Sequence, residues 1–339
     1  MSECGPSGRP SAALLHIGVR PALPLERHRE KRELLSNLSP VLPARGDPRR
    51  PTIASVARVP RRPGLIPVLL HQRLALTGAI LIGAFAIVAI LGPFLAPHGP
   101  TEQFAGQQLQ APGGSYLLGT DEFGRDILSR LAHGARISFQ VGIVAVGIAA
   151  AIGIVLGMIA GYVGGWVDTV LTLLMDVLFA FPAILLAIAI VTALGNSLTN
   201  VMIAIGLVNA PAFMRVVRGA TLSIRKTGYV ESAVATGASV PRIMTRHVFP
   251  NITAPLIVHA SLNFAFAVLA EASLAFLGLG NRPPSPSWGS MVSASYGVLQ
   301  LAPWAAIVPG VAIASTVLGF NLLGDGLRDA LDPRLRNEG

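Results

Sequence analysis

The sequence predicts an all-α integral membrane protein with six transmembrane helices and both termini in the cytoplasm. Composition, six long apolar runs and the placement of basic residues between those runs carry that expectation. Of the 339 residues, 52% are hydrophobic and only 13% charged, and the mean hydropathy is +0.61. A soluble domain carries roughly 25% charged residues, so this chain cannot cover a water-facing surface of ordinary size. Aromatic residues are scarce while Gly and Ala abound, which suits helices packing closely in lipid. Cys4 is the single cysteine, so an intrachain disulfide and a cysteine metal cluster are both excluded.

A span needs about 20 apolar residues. Residues 1–60 offer none: they are rich in Pro, Arg and Ser without a period, and read as a disordered cytoplasmic tail. They also lack the charged-then-apolar order of a signal peptide. The transmembrane domain is placed at 61–339, with spans at about 74–97, 139–161, 167–192, 198–214, 253–279 and 303–324. The second span is the cleanest, and its Gly153, Gly157 and Gly161 form a small-residue ridge for close helix approach. The third carries Asp176 near its middle, where an ionised carboxylate is costly. The fourth is short and interrupted by Asn200, Asn209 and Pro211. On the fifth, His259, Asn263 and Glu271 recur at multiples of four and share one broad face.

Basic residues orient the spans. Arg58, Arg61, Arg62 and Arg73 precede span 1; Arg215, Arg218, Arg225, Lys226, Arg242 and Arg246 follow span 4; Arg328, Arg334 and Arg336 follow span 6. The opposite side holds Arg125, Arg130, Arg136 and Arg282. The net charge of +9 is therefore topogenic, and nucleic acid is not among the expected partners. The outer segment 98–138 is polar, with Asp126 and Arg130 at pairing distance on a helical turn. That segment and the Pro-rich stretch 281–289 read equally as a docking ledge or as a lid over helix ends.

The inner loop 215–252 is the most informative segment. Glu231 to Thr236 reads as a short helix stopped at Gly237. Ser239 offers an N-cap and Pro241 a first-turn residue for a second helix, with Arg242 and Arg246 on one face and Pro250 ending it before span 5. Three readings fit this helix–turn–helix nub: a basic surface helix that only sets topology, a DNA-binding unit, and a knob gripped by a motor protein. Fewer than 40 residues separate spans 4 and 5, which leaves no room for the third helix and core that a DNA-binding unit needs.

Glu231-Ser-Ala233, Gly237 and Pro250 together resemble the "EAA" loop of binding-protein-dependent ABC importer permeases. Ser232, His247 and Phe249 depart from its general pattern, and Arg246-His247 with Pro250-Asn251 fit the dipeptide, oligopeptide and nickel branch. Two further motifs resemble the same branch: Leu118-Gly-Thr-Asp-Glu-Phe-Gly-Arg-Asp-Ile-Leu-Ser-Arg130 with Gly134-Ala-Arg136, and Glu271-Ala-Ser-Leu-Ala-Phe-Leu-Gly-Leu-Gly280 with Pro283 to Gly289. The resemblance covers about residues 70–336. It implies a type I importer permease architecture in the bacterial cytoplasmic (inner) membrane. The implied partners are a second homologous permease, two cytoplasmic ATPase subunits and an external solute-binding protein. It further implies that Glu231, Ala233, Gly237, Pro241, Arg246, His247 and Pro250 shape the contact that couples this chain to an ATPase.

No Gly-x4-Gly-Lys-Ser/Thr phosphate loop is present: before Lys226-Thr227, Arg225 stands where Gly is required. ATP and Mg are therefore expected on the partner ATPases, with no cofactor on this chain. The seven histidines show no metal-ligand spacing and no enzyme signature is found. Asp176, His259, Asn263 and Glu271 are the candidate path-lining residues, with helix-to-helix bonding as the alternative reading. Peptide is the first expected solute, and nickel or another small solute the second. A proton-coupled secondary transporter using Asp176 and Glu271 is the rival from another class, but the two halves show no inverted repeat.

Overall fold

A computed structural model describes residues 72–281 and 283–331, so the tail 1–60 lies outside the described residues. Apart from two isolated bridges in the loop before the second helix, the described residues form no strand. Five helices are long and apolar enough to cross a membrane, and a sixth span is formed if a bent pair is taken as one. They are α1 (Arg73–Leu95), α2 (Ile127–Val163), the bent pair α3 (Gly165–Phe179) and α4 (Ala183–Leu194), α5 (Leu198–Arg225), a run ending in α8 (Phe249–Phe276), and α10 (Trp304–Leu331). Between α5 and α8 lie α6 (Gly228–Ala235) and α7 (Val240–Ile243), and α9 (Trp288–Ser295) follows α8.

Three boundaries depart from expectation. Helix α2 begins twelve residues before the predicted span, because Asp126 caps it by accepting from the Ser129 N–H at 3.0 Å. The expected Asp126–Arg130 pair does not form. Asp126 faces His98 at 3.5 Å, while Arg130 reaches Asp121 at 3.4 Å. The third span breaks at Ala180–Pro182 with an 89° bend, since Pro182 cannot donate to a continuing helix. Helix α5 runs 28 residues rather than ending near 214. Its interrupting polar groups are spent on backbone carbonyls: Asn209 Nδ2 donates to Ile205 O, and Asn200 Nδ2 donates to Leu194 O and Gly195 O in the preceding turn.

The helices meet where glycine removes the side chain between them. A Cβ on Gly153, Gly157 or Gly161 of α2 would collide in turn with Phe213 and Met214, with Met214 and Val217, and with Arg218 and Thr221 of α5. The small-residue ridge is thus a packing seam, and α2 and α5 run parallel along it. Gly78 of α1 meets the backbone of Gly319 and Leu323 in α10 in the same way, and Gly326 meets Ala75. The core between α2, α8 and α10 is aromatic, with Phe264 stacked on Phe320 at 3.9 Å and Phe139 at 5.6 Å from Phe264.

The loop before α2 is tied down by charge. Asp121 accepts from the Phe123 and Arg125 backbone N–H groups, both at 2.9 Å, and from Arg125 Nε at 2.7 Å. Arg130 donates to Pro100 O at 2.8 Å and to Pro284 O at 3.3 Å, joining this loop to the Pro-rich stretch before α9. Trp288, fully buried, donates from Nε1 to Leu131 O at 3.0 Å.

Candidate functional site

The nub between α5 and α8 is built as two short helices on a fixed base. Thr227 ends the approach from α5, and its carbonyl accepts from the Val230 and Glu231 N–H groups at 2.9 and 3.1 Å. Helix α6 then runs to Ala235, with Glu231 exposed in its first turn, where the helix dipole favours a carboxylate. Gly237 closes it at φ +79. Its N–H donates to Val234 O at 2.9 Å while the Ala238 N–H donates to Ala233 O at 3.1 Å, the paired bonds of a Schellman cap. Ser239 takes the extended cap position of α7 without a side-chain capping bond, and Pro241 stands in the first turn.

Pro250 does not end the second helix. Helix α7 passes through a π-helical turn, Met244–Val248, directly into α8, and Pro250 occupies the first turn of α8. A proline lacks the N–H that a continuing α-helix would use. The wider π turn, closed by the Phe249 N–H on Met244 O, lets the chain proceed past it. His247, half-buried, lies in this turn with its ring 6.4 Å from Tyr229 of α6, so the two short helices touch.

The inner face of the nub is a small core. Val230, Ile243, Val248 and Ile252 are each at most 1% exposed and pack with Phe213 and Val217 of α5. Burial of an aliphatic side chain of this size stabilises by about 1.5–3 kcal/mol. The nub therefore cannot shift without dragging α5 and α8. Its outer face is mixed: Tyr229, Val234 and Val240 are exposed apolar groups beside exposed Glu231, Arg242 and Arg246. A groove lined by Tyr162, Arg225, Lys226, Glu231 and Val234 runs beside it. The residues assigned to the coupling loop are contiguous from α6 through α7 and the π turn into the first turn of α8. Ala233 and His247 are half-buried, and Glu231, Gly237, Pro241, Arg246 and Pro250 face outward.

Of the four candidate path residues, His259 and Asn263 meet, while Asp176 and Glu271 have other neighbours. Asp176 on α3 is about half exposed and pairs with Arg215 of α5 at 3.0 Å. His259 packs edge-on against Phe213 at 4.6 Å and lies 3.0 Å from Asn263 Nδ2, which also donates to His259 O at 2.9 Å. Glu271 is only 2% exposed, enclosed by the chain near the hydroxyls of Ser138 and Ser287. A drift of about 40° per four residues turns Glu271 roughly 120° from His259 around α8.

Charge pairing along α5 was invisible to sequence reasoning. Arg218 forks onto both oxygens of Asp168 in α3, and Arg225 lies over the Tyr162 ring at 5.6 Å. These arginines register in the sequence only as topogenic charge. The partners of Arg215 and Arg218 are out of local reach, since Asp176 and Asp168 lie 39 and 50 residues away.

Residues 153–337 match the family model described as binding-protein-dependent transport system inner membrane component, and residues 68–112 match the N-terminal transmembrane domain of oligopeptide transport permease C. The chain belongs to this permease family. It is 47% identical to a dipeptide transport system permease protein of Alkalihalophilus pseudofirmus over 78% of this chain and 88% of the relative. It is 44% identical to a di/tripeptide transport system permease protein of Pseudomonas aeruginosa over 79% and 90%. A glutathione transport system permease protein of Escherichia coli is 44% identical over 78% and 88%. The permease is thus a transport subunit of the inner membrane, working in a system with a solute-binding protein.

Proposed function

We propose that this permease forms half of the path by which a peptide importer moves di- or tripeptides across the inner membrane. The observation that carries the proposal is the nub α6–α7, rigidly seated on α5 and α8 while presenting a mixed apolar and charged face. A face of this kind suits a cleft on a cytoplasmic ATPase, and the peptide-named relatives support the choice of solute. In this reading the nub end is cytoplasmic, as its arginines favour. A second permease completes the path, two ATPase subunits bind ATP and Mg, and an external binding protein delivers the peptide. The chain itself catalyses nothing. Asp176, His259, Asn263 and Glu271 are proposed to serve the path indirectly, by fixing the helices around it.

The test is reconstitution of the permease with a sister permease, ATPase subunits and a solute-binding protein from the same organism. Uptake of a labelled tripeptide, competed by other di- and tripeptides and indifferent to Ni²⁺, is the expected result. Glu231→Lys and Gly237→Trp are expected to lose the ATPase on purification while the permease remains inserted. Uptake driven by a proton gradient without ATP would overturn the proposal.

A further inference from the structure

Helix α3 is a poor fit to its surroundings by packing alone. Met175 is its only buried residue, and Trp166, Val170, Leu173, Leu174 and Val177 are all more than half exposed. Its ionisable groups are Asp168 and Asp176, and both are spent on α5. Asp168 takes the two-pronged Arg218 contact, Nη2 to Oδ2 at 2.7 Å, and also accepts from Thr172 Oγ1 at 3.3 Å. Asp176 pairs with Arg215, whose guanidinium lies 4.6 Å over the Phe179 ring at the end of α3. Charged side chains in a spanning segment are costly unless paired, and an arginine fork on a carboxylate fixes direction as well as distance.

We infer that these two ion pairs are a clasp that makes α3 move with α5, so that displacement of the nub is delivered to the bent α3–α4 segment. The inference rests on the docking role proposed for the nub. Helix α5 ends at Arg225 and leads within three residues into α6, whose core is shared with α5. A pull on α6 therefore reaches Arg215 and Arg218 through one helix, and reaches α3 through the aspartates. Beyond Phe179 the chain turns by 89° into α4, which is where rotation of α3 would be converted into a change at the mouth of the path. Asp168 and Asp176 are positioning residues in this scheme: neither needs to touch the solute.

The experiment uses the reconstituted importer with Cys4→Ser, spin labels at exposed positions, and distances measured in nucleotide-free and vanadate-trapped states. One pair, Val170 with Ser223, lies within the clasped body; the other, Val170 with Ile80, reaches from α3 to α1. The expected result is a narrow Val170–Ser223 distribution identical in both states while Val170–Ile80 shifts. Asp168→Asn with Asp176→Asn is expected to broaden the first pair and to lower stimulation of ATP hydrolysis by the binding protein about fivefold or more. Basal hydrolysis and ATPase retention stay unchanged. The charge swap Asp168→Arg with Arg218→Asp, made with Asp176 intact, should keep stimulation, whereas Asp168→Arg alone should lose it. A Val170–Ser223 distance that changes between states in the wild type overturns the clasp alone, whatever the variants do. So does a neutralised variant that keeps both the narrow distribution and full stimulation. Loss of the ATPase from the wild type would overturn the docking role and the clasp together.

Discussion

Gly237 holds a left-handed backbone, φ +79, with open space where a side chain would go. Its requirement is therefore conformational and not steric. Any other L-residue except Asn or Asp carries about 1–2 kcal/mol of strain in that region. Gly237→Val is expected to loosen α6 and weaken ATPase retention, whereas Gly237→Asn should retain it, as a pull-down of both variants would show. At the other end, Trp288→Phe removes the bond to Leu131 O but keeps the ring between Phe85 and Gly134. The expected loss is about 1 kcal/mol, against about 3–5 kcal/mol for Trp288→Ala, measured as unfolding midpoints in detergent. Gly237 was legible from the sequence because a glycine between two helical patterns has one obvious use. Trp288 was not, because its partner lies 157 residues away.

At the scale of elements, the sequence shows where apolar runs are but not how backbone groups within them are satisfied. The fourth span looked short because asparagines break an apolar count. In the structure they bond carbonyls of their own or the preceding turn, and the helix is 28 residues long. The third span looked continuous because hydropathy does not register an 89° bend. Pro250 looked like a terminator because the count of N–H groups assumes α-helical spacing. The π turn at Met244–Val248 changes that spacing by one residue. Deleting exposed Thr245 should convert the turn to ordinary α-helix and set the Pro250 ring against the carbonyl of the turn before it. We expect such a variant to insert normally yet to hydrolyse ATP without importing peptide. Parallel assays of ATP hydrolysis and uptake check this; normal uptake would remove the π turn from the mechanism.

Across the whole molecule, the two ends are fastened differently. The nub end rests on a small apolar core, whereas the opposite end is laced by Asp121, Arg125 and Arg130. Arg130→Met is expected to free the loop before α2 from the Pro-rich stretch, lowering uptake while leaving ATPase retention intact. Gly237→Val should show the reverse ranking. A variant series scored for both properties tests whether the ends act separately. The overall plan, six apolar runs with one projecting loop, was readable because lipid imposes length and polarity on every span. That Asp168 meets Arg218 and Asp176 meets Arg215 was not readable, because nothing local to either residue encodes the meeting.

The seam at Gly153, Gly157 and Gly161 has a consequence for the order in which the molecule loosens. Along it, α2 lies directly on main-chain atoms of α5, including Met214 O and Arg218 O. A contact of backbone on backbone has no rotamers to explore, so it cannot yield in small steps. Amide protons along this stretch of α2 and α5 should then be the last to exchange with solvent, and together, at the free energy of global opening. Those of α3 should exchange early. Such a gradient would mark α2–α5 as one unyielding block, carried whole whenever the nub is displaced.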